Sequence, residues 1–474
     1  MTVFHRFIDN KKKKETEHSD WFLNKLQITP AALMIVSFFI LITVGTLLLL
    51  IPCMTHRDIT FIDALFTATS ASCVTGLTVL GTGSDFTFWG QLVILLLMQL
   101  GGISILAFAT FFAAFFSTSR IGVKQQHLLK DFFATSTITD SISMLREIVF
   151  ATILIEIIGV VSLYLYWNST HLFTNNWENL FYSIFHSISA FTNSGLCLWE
   201  DSSMHDALAK NYFPQVVIMI LIITGGMGFI FLHDVFSFKQ IKERHSHKWR
   251  RLAPSTKVVL YTTLIILVSG AIVFYLLERN NSLSTLGGFG KSLFASVFQV
   301  VTSRSAGFNS LEISAFSVPT LLLIMLVMFI GASPGSTGGG IKTSTAFVIF
   351  KSVAATIRGK KNIEFQKKTI PFEIVDKAYS IVLMSLLIIF LSLFALTLAE
   401  PHIPFMTLLF ESVSSFSICG LSMGCTPELS SAGKMILVVN MYTGRIGTLS
   451  IAFALARRIK EAKHQYPNTY FMVG

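Results

Sequence analysis

Apolar runs long enough to cross a bilayer recur along the chain, at about residues 31–51, 89–117, 147–167, 214–236, 257–277, 317–356, 379–399 and 434–456. A helical crossing needs ~20 residues, so eight spans are expected, the sixth of them interrupted. The connections between the runs alternate between two kinds. One kind is basic: KKKK near the start, then Arg120, Lys124, Lys130 and Arg146, then KQIKERHSHKWRR, RGKKNIEFQKK and finally RRIKEAK. The other is longer, poor in Lys and Arg, and partly apolar. Of the 36 Lys and Arg, 28 fall in the basic kind. Arg57, Lys210, Arg279, Lys291, Arg304 and Lys434 fall in the other kind, and Lys342 and Arg445 lie within runs. Positive loops stay on the cytoplasmic side, which places both termini in the cytoplasm of a multi-pass protein of the cell membrane.

Each outward connection holds a half-length apolar stretch that ends in small polar residues and a glycine. They read FIDALFTATSASCVTGL, WENLFYSIFHSISAFTNSGL, FGKSLFASVFQVVTSRSAGF and FMTLLFESVSSFSICGL. Aligned on Gly76, Gly195, Gly307 and Gly420, the position ten earlier is Phe66, Phe185, Val297 and Phe410, and the glycines are 119, 112 and 113 residues apart. A near-constant period marks an internal repeat. The unit is span, short re-entrant helix, glycine turn, span, and all four units start in the cytoplasm, so they share one orientation. The chain is thereby divided into a cytoplasmic segment 1–29, repeats at 30–120, 145–240, 255–358 and 372–458, and a cytoplasmic tail 459–474. The expected fold is an all-α integral membrane protein, four same-orientation repeats around a central pore.

A stretch of ~12 residues is too short to cross the membrane and has to turn back inside it. Its returning carbonyls survive only in protein or along a water-filled path. Four such sets around one axis make a ring that replaces the hydration shell of a cation. Glycine supplies backbone angles closed to other residues, and the C-termini of the four short helices aim negative dipole ends inward.

Composition agrees. The chain is 52% hydrophobic and 13% charged, against about 25% charged in a soluble domain. The net charge of +10 belongs to short loops between spans, which excludes a nucleic-acid-binding domain. The N-terminus lacks the apolar region of a signal peptide, so the first run is expected to be retained. Five cysteines, with no C-x-x-C, read as packing residues rather than a disulfide framework or metal site. Twelve Asp and Glu against six basic residues on the outer side enrich cations at the mouth.

These features identify the chain as resembling the Trk/Ktr/HKT superfamily of potassium transporters, most like the Ktr-type membrane subunit, from about residue 30 to the end. VTGL, TNSGL, TSRSAGFN and ICGL stand at that family's four filter segments. The resemblance implies a K⁺ path through the backbone carbonyls of Val74, Thr75 and Gly76, Asn193, Ser194 and Gly195, Ser305, Ala306 and Gly307, and Ile418, Cys419 and Gly420. Glycine rather than serine at 76 points to K⁺ over Na⁺. No TVGYG occurs, so weaker selectivity is expected than in tetrameric K⁺ channels.

The sixth run is broken by GASPGSTGGGIKT at 331–343. Pro334 removes a backbone donor and the glycines give little helical preference; irregular backbone at that depth is expected to line the ion path. The resemblance assigns Ala332, Ser333, Pro334, Gly335, Ser336, Thr337, Gly338, Gly339 and Gly340 to a gate below the filter. A phosphate-binding loop is excluded, because Ile341 separates Gly340 from Lys342 and a span, not a strand, precedes it. Small residues recur at GGIS 101–104, GGMG 225–228 and TGRIG 443–447, where close helix packing is a sufficient reading for the first two.

Four charges stand apart. Arg445 faces the cavity or the gate, or else pairs with Glu156, Asp234 or another acid. Lys342 either snorkels or caps the broken helix. Arg304 matches the family pattern before the third filter glycine; on the axis it would repel K⁺, so it is expected to support the filter from behind, with Glu411 as candidate partner. The basic loops 237–257 and 351–377 suit anionic lipid. The resemblance instead implies a cytoplasmic nucleotide-binding regulatory ring on a homodimer, with the tail QYPNTYFMVG in the dimer contact. No cofactor is expected on this chain, only K⁺ as cargo and Na⁺ as a candidate activator. The expectation is a channel-like, potential-driven K⁺-translocating subunit, not an enzyme; a K⁺/H⁺ or K⁺/Na⁺ symporter is the second reading. Coupling would call for a titratable group in the path, and Glu156, the one mid-span candidate, is expected off-axis.

Overall fold

The structure, a computed structural model, describes residues 30–103, 138–199, 211–237, 252–360 and 362–448. The first group of helices is α1 (Pro30–Leu49), α2 (Phe61–Cys73) and α3 (Phe88–Ile103). The second is α4 (Ile138–Ser169), α5 (Asn176–Thr192), α6 (Tyr212–Gly226) and α7 (Phe229–Phe236). The third is α8 (Pro254–Glu278), α9 (Phe289–Thr302), α10 (Val318–Ile330) and α11 (Thr343–Ile357). The fourth is α12 (Phe372–Ala399), α13 (Phe405–Ser417) and α14 (Ser431–Ile446). A small antiparallel hairpin, β1 (Glu364–Phe365) and β2 (Lys368–Thr369), precedes α12. The expected N-terminal segment 1–29, the tail 459–474, and the far ends of the runs 89–117 and 434–456 lie outside the described residues.

Among the described residues, the apolar runs are not all single straight helices. Among the described residues, three helices are long and apolar enough to cross alone, Glu147–Ser169 within α4, α8 and α12; α6 and α7 make a fourth only as a pair bent by 100°. The three straight crossings each open their group, whereas α6, α10 and α14 stop at the small-residue clusters. The packing there explains the choice of glycine. A Cβ at Gly101, Gly225 or Gly444 would overlap the carbonyl oxygen of Ser72, Phe191 or Phe416 respectively, each four residues before its filter glycine. The run 214–236, read as continuous, is broken at Met227 and Gly228, the latter at φ 92°.

Two of the short helices start on a side-chain cap. Thr60 accepts from the Asp63 N–H at 3.2 Å and donates to the Asp63 carboxylate at 2.7 Å, capping α2. The Asn175 side chain accepts from the Trp177 N–H and caps α5. Beyond their exposed first turns the short helices are largely buried and bury hydroxyls, among them Thr69, Ser70, Ser189, Ser296, Thr302, Ser412 and Ser414. The long helices turn apolar residues outward instead; on α4 these are Phe150, Ile153, Leu154, Ile157, Ile158, Val161 and Leu165. Their i, i+3, i+4, i+7 spacing is an apolar stripe facing lipid.

The four larger core clusters are each shared by neighbouring groups. One cluster joins Phe185, Leu196 and Leu198 to α1–α3; a second joins Phe298, Val301 and Phe308 to α4–α7. A third joins α8–α10 to Ile389, Phe410 and Phe416; the last returns from Leu396, Leu408 and Leu437 to Ile42 and Phe66. The same cyclic order appears in the helix contacts, α3 on α5, α6 on α9, α10 on α13, and α14 on α2.

Buried carboxylates fasten the straight crossing to its shorter partner in two groups. Glu278 accepts from the Ser317 N–H (2.9 Å), Ser317 Oγ (2.7 Å), Thr320 Oγ1 (2.6 Å) and Ser282 Oγ (2.8 Å) at the start of α10. Glu400 accepts from the Ser430 N–H at 2.7 Å at the start of α14. An anion suits the positive end of a helix in both places.

Candidate ion pathway

The four glycine segments converge from the C-termini of α2, α5, α9 and α13. In three of them the helix ends in the same paired hydrogen bonds. The N–H groups of Val74, Asn193 and Ile418 reach back three residues, and those of Thr75, Ser194 and Cys419 reach back five, to Ser70, Ser189 and Ser414 at 2.8, 2.8 and 2.9 Å. This termination puts Val74, Asn193 and Ile418 in the left-handed region, at φ 61°, 62° and 54°. For a β-branched valine or isoleucine that is a strained conformation, held by the surrounding structure. The third segment departs from the pattern: its turn closes from the Ala306 N–H to the Thr302 carbonyl at 2.9 Å, yet Ser305 still takes φ 68°. Gly76, Gly195, Gly307 and Gly420 follow at φ 89°, 73°, 76° and 82°.

The segments close into a ring in chain order. A Cβ on Gly76 would strike the Ser194 carbonyl oxygen, one on Gly195 the Ala306 oxygen, and one on Gly420 the Thr75 oxygen. On Gly307 it would lie 2.9 Å from the Cys419 oxygen. Each glycine therefore borders the carbonyl that precedes the next glycine, and the fourth segment returns to the first. Such a ring offers an oxygen from every quarter, the chemistry of a dehydrated monovalent cation.

The interrupted stretch 331–342 lies directly beneath. Ala332, Ser333, Thr337, Gly338 and Gly339 are buried, whereas Gly335 is exposed. Its backbone is satisfied by the break in the second group: the Ser333 and Thr337 N–H groups donate to the Gly226 and Gly225 carbonyls at 3.0 and 3.4 Å, and the Phe229 N–H donates to the Gly335 carbonyl at 2.7 Å. The two interruptions complete one another, which is why the second had to break as well. Pro334 and Gly340 flank these contacts, and Ser336 Oγ closes the turn on the Ser333 carbonyl at 2.6 Å. Upward, the Gly339 N–H donates to Ser305 Oγ at 3.2 Å, and Ser305 Oγ donates to the Ser417 carbonyl at 3.1 Å. A Cβ on Gly338 would come within 3.1 Å of the Ser305 Cβ. The stretch thus touches the inner ends of the second, third and fourth segments.

Arg445 supplies the remaining connection. Its guanidinium donates to the carbonyls of Thr337 and Gly101, and at 3.3 Å to that of Gly102, tying the stretch to α3. Phe38 lies 5.7 Å below the charge. Neither acid weighed as its partner is used: the Glu156 carboxylate accepts from Gln99 at 3.0 and 3.1 Å, and Asp234 accepts from the Ala253 N–H at 3.1 Å. Lys342, at φ 74°, donates from Nζ to the Gly338 carbonyl at 2.6 Å, stapling the stretch rather than snorkelling away. Glu156, bound to Gln99 between α4 and α3, has no described hydrogen bond from its carboxylate to the glycine ring.

One expected pairing fails. Arg304 and Glu411 form no ion pair among the described residues. Arg304 is buried and donates from Nε to the Gly331 carbonyl at 3.3 Å. Glu411 instead accepts from Ser422 Oγ, from the Met423 N–H at 3.3 Å and from Thr426 Oγ1 at 3.1 Å. Glu411 lies nine residues before its glycine and Arg304 only three, so they sit at different heights. His186, buried behind the second segment, was not singled out in the sequence; its signal is a lone histidine in a Ser-rich short helix. The five cysteines are all free, and all but Cys53 are buried.

Comparison with known proteins places this geometry. The family described as TrkH, cation transport protein, matches residues 5–465. The Ktr system potassium uptake protein B of Bacillus subtilis is 38% identical over 97% of this chain and 100% of its own length. The protein of the same description from Vibrio alginolyticus is 36% identical, over 93% and 94%. The potassium/sodium uptake protein NtpJ of Enterococcus hirae is 33% identical, over 94% and 98%. In three dimensions the chain resembles the crystal structure of the potassium transporter TrkH from Vibrio parahaemolyticus, with TM-score 0.68 and 17% identity over 89% of this chain and 83% of the other. A membrane protein of helices and re-entrant glycine turns, with a carbonyl ring at its centre, this chain belongs to the TrkH family of cation transport proteins.

Proposed function

We propose that the chain is the K⁺-translocating membrane subunit of a potassium uptake system. The observation that carries this reading is the closure of four glycine segments into one ring, in a chain whose relatives are named for potassium uptake. In this reading the carbonyls around Gly76, Gly195, Gly307 and Gly420 select the ion, and residues 332–340 obstruct the path beneath until they shift. Arg445 and Lys342 hold that obstruction by its own carbonyls. Movement is channel-like and driven by the membrane potential, with Na⁺ as a candidate activator. The subunit acts as a homodimer under a cytoplasmic nucleotide-binding ring, both termini inside the cell and anionic lipid against the basic loops.

The test is uptake of Rb⁺ and Na⁺ by the full chain in liposomes under an imposed potential, alone and with the cytoplasmic ring, beside Gly195→Ala. Rb⁺-selective uptake lost in the variant supports the reading; equal uptake by both chains sinks it. A second reading, joint movement of K⁺ and Na⁺, is favoured by the relative named for potassium/sodium uptake. Sodium uptake that rises with Rb⁺ uptake at fixed potential would select it.

A further inference from the structure

His186 and Glu411 lie at the same place in two different quarters of the ring, each nine residues before its glycine. The His186 Nδ1 is 2.8 Å from the Tyr182 carbonyl. A carbonyl only accepts, so Nδ1 carries the proton and Nε2 presents its lone pair. That lone pair faces Cys197 Sγ at 3.1 Å and the Leu198 N–H at 3.5 Å. Cys197 is two residues after Gly195 and Leu198 three. Glu411 treats its own segment in the same way: its carboxylate takes Ser422 Oγ and, at 3.3 Å, the Met423 N–H, two and three residues after Gly420. Two unlike side chains thus accept from the same two positions of the strand leaving the ring.

The other two quarters are built differently. At the matching positions stand Thr67, whose hydroxyl bonds back to the Asp63 carbonyl within its own helix, and Phe298, which packs in an apolar cluster. The acceptors therefore occupy alternate quarters, facing one another across the axis. Both are rigidly seated. His186 stacks on Trp199 with ring centroids 4.3 Å apart and meets Trp167 edge-on at 5.8 Å, while Thr426 Oγ1 holds the second oxygen of Glu411 at 3.1 Å.

We infer that His186 and Glu411 are positioning residues for ion selection, clamping the outer strands of the second and fourth glycine segments to their helices so that the carbonyl ring keeps one width. Both are fully buried. They act through Cys197 and Leu198 and through Ser422 and Met423, which extend directly from Gly195 and Gly420. Selection by a carbonyl ring depends on how far its oxygens can move, so loosening two facing quarters relaxes discrimination before it abolishes passage. The inference rests on the reading of the ring as the selecting element.

The experiment measures the ratio of Rb⁺ to Na⁺ uptake by the full chain in liposomes, with the thermal unfolding midpoint of each variant alongside. His186→Phe installs the residue type already tolerated at Phe298, Cys197→Ala removes only the thiol donor, and His186→Gln keeps an acceptor. The expected result is a ratio lowered about tenfold by His186→Phe, the scale of one hydrogen bond, with a smaller loss in Cys197→Ala and most of it restored in His186→Gln. An unchanged ratio in His186→Phe, or equal damage from His186→Gln, overturns the inference. Should His186→Phe not fold, Cys197→Ala decides, and an unchanged ratio there overturns it too. Gly195→Ala separates the two levels. If it alters the ratio while the clamp variants do not, only the clamp is wrong; if it too leaves the ratio unchanged, the ring reading falls with it.

Discussion

Lys434, near the start of α14, holds Asp63, in the first turn of α2, with Nζ 2.8 Å from Oδ1. The pair fastens the last group of helices to the first on the outer side of the ring. Partial burial pushes the Asp63 carboxyl up, but hydrogen bonds from Lys434 and Thr60 together with the Lys434 charge outweigh it, leaving the group below its ordinary value of 3.8. A carboxylate lowered in the folded state contributes stability above its unfolded value and loses it as pH falls through the folded one. Lys434→Met is therefore expected to cost ~1 kcal/mol at neutral pH, the upper range for a partly exposed pair, and nothing once Asp63 is protonated. Unfolding midpoints of both chains at pH 7 and in the acid range below about pH 4 check this; parallel curves would dismiss the pair as a stabilising contact.

The glycines of the ring are not equivalent. Alanine at Gly76, Gly195 or Gly420 meets a carbonyl oxygen head-on, whereas at Gly307 the nearest oxygen is 2.9 Å away. All four carry the left-handed strain, which costs a non-glycine residue ~1–2 kcal/mol. Gly307→Ala is expected to retain the largest share of Rb⁺ uptake of the four alanine variants. A flat series, or Gly307→Ala as the worst of them, would show that the ring is ordered differently.

Arg445 joins the Thr337 carbonyl to those of Gly101 and Gly102. Arg445→Gln removes the charge and most of the donors while keeping a polar group of similar reach. Rb⁺ uptake without the cytoplasmic ring is expected to rise severalfold, because the stretch 332–340 loses its tie to α3. Deleting residues 335–339 should raise it further. Uptake at or below the parent level in both would mean that the stretch does not obstruct the path.

Glu278 gathers donors from the end of α8 and the start of α10. Glu278→Ala strands several buried donors at once, at a cost of ~3 kcal/mol. The expected readout is a lower unfolding midpoint with an unchanged Rb⁺/Na⁺ ratio, since the residue lies away from the ring. A changed ratio at an unchanged midpoint would reassign Glu278 to the ion path.

Much of this arrangement is legible in the sequence because its causes are local or repetitive. The short helices announce themselves by length and by hydroxyl content, and the glycines by spacing. Pro334 and the run after it forbid a helix wherever the rest of the chain lies. The break at Met227 and Gly228 was harder to read. Nothing in GGMG forbids a helix outright; what breaks it is the set of hydrogen bonds offered by Ser333, Gly335 and Thr337 from another part of the chain. The expected pairing of Arg304 with Glu411 fails for a related reason. Opposite charge near one glycine suggests a pair, but the height of each residue on its helix decides what it meets, and only packed helices fix that height.

The ring is made by one chain rather than by four copies, and this bears on what can stand at its centre. In an assembly of identical subunits every residue near the axis arrives in fourfold, so one guanidinium there would bring three more. Here Arg445 occurs once, the stretch 332–340 occurs once, and both fit because three quarters of the ring carry something else. Covalent linkage of unlike quarters is thus what permits one arginine and one buried irregular stretch beside the ring, and any attempt to rebuild the ring from a single repeated unit would lose them.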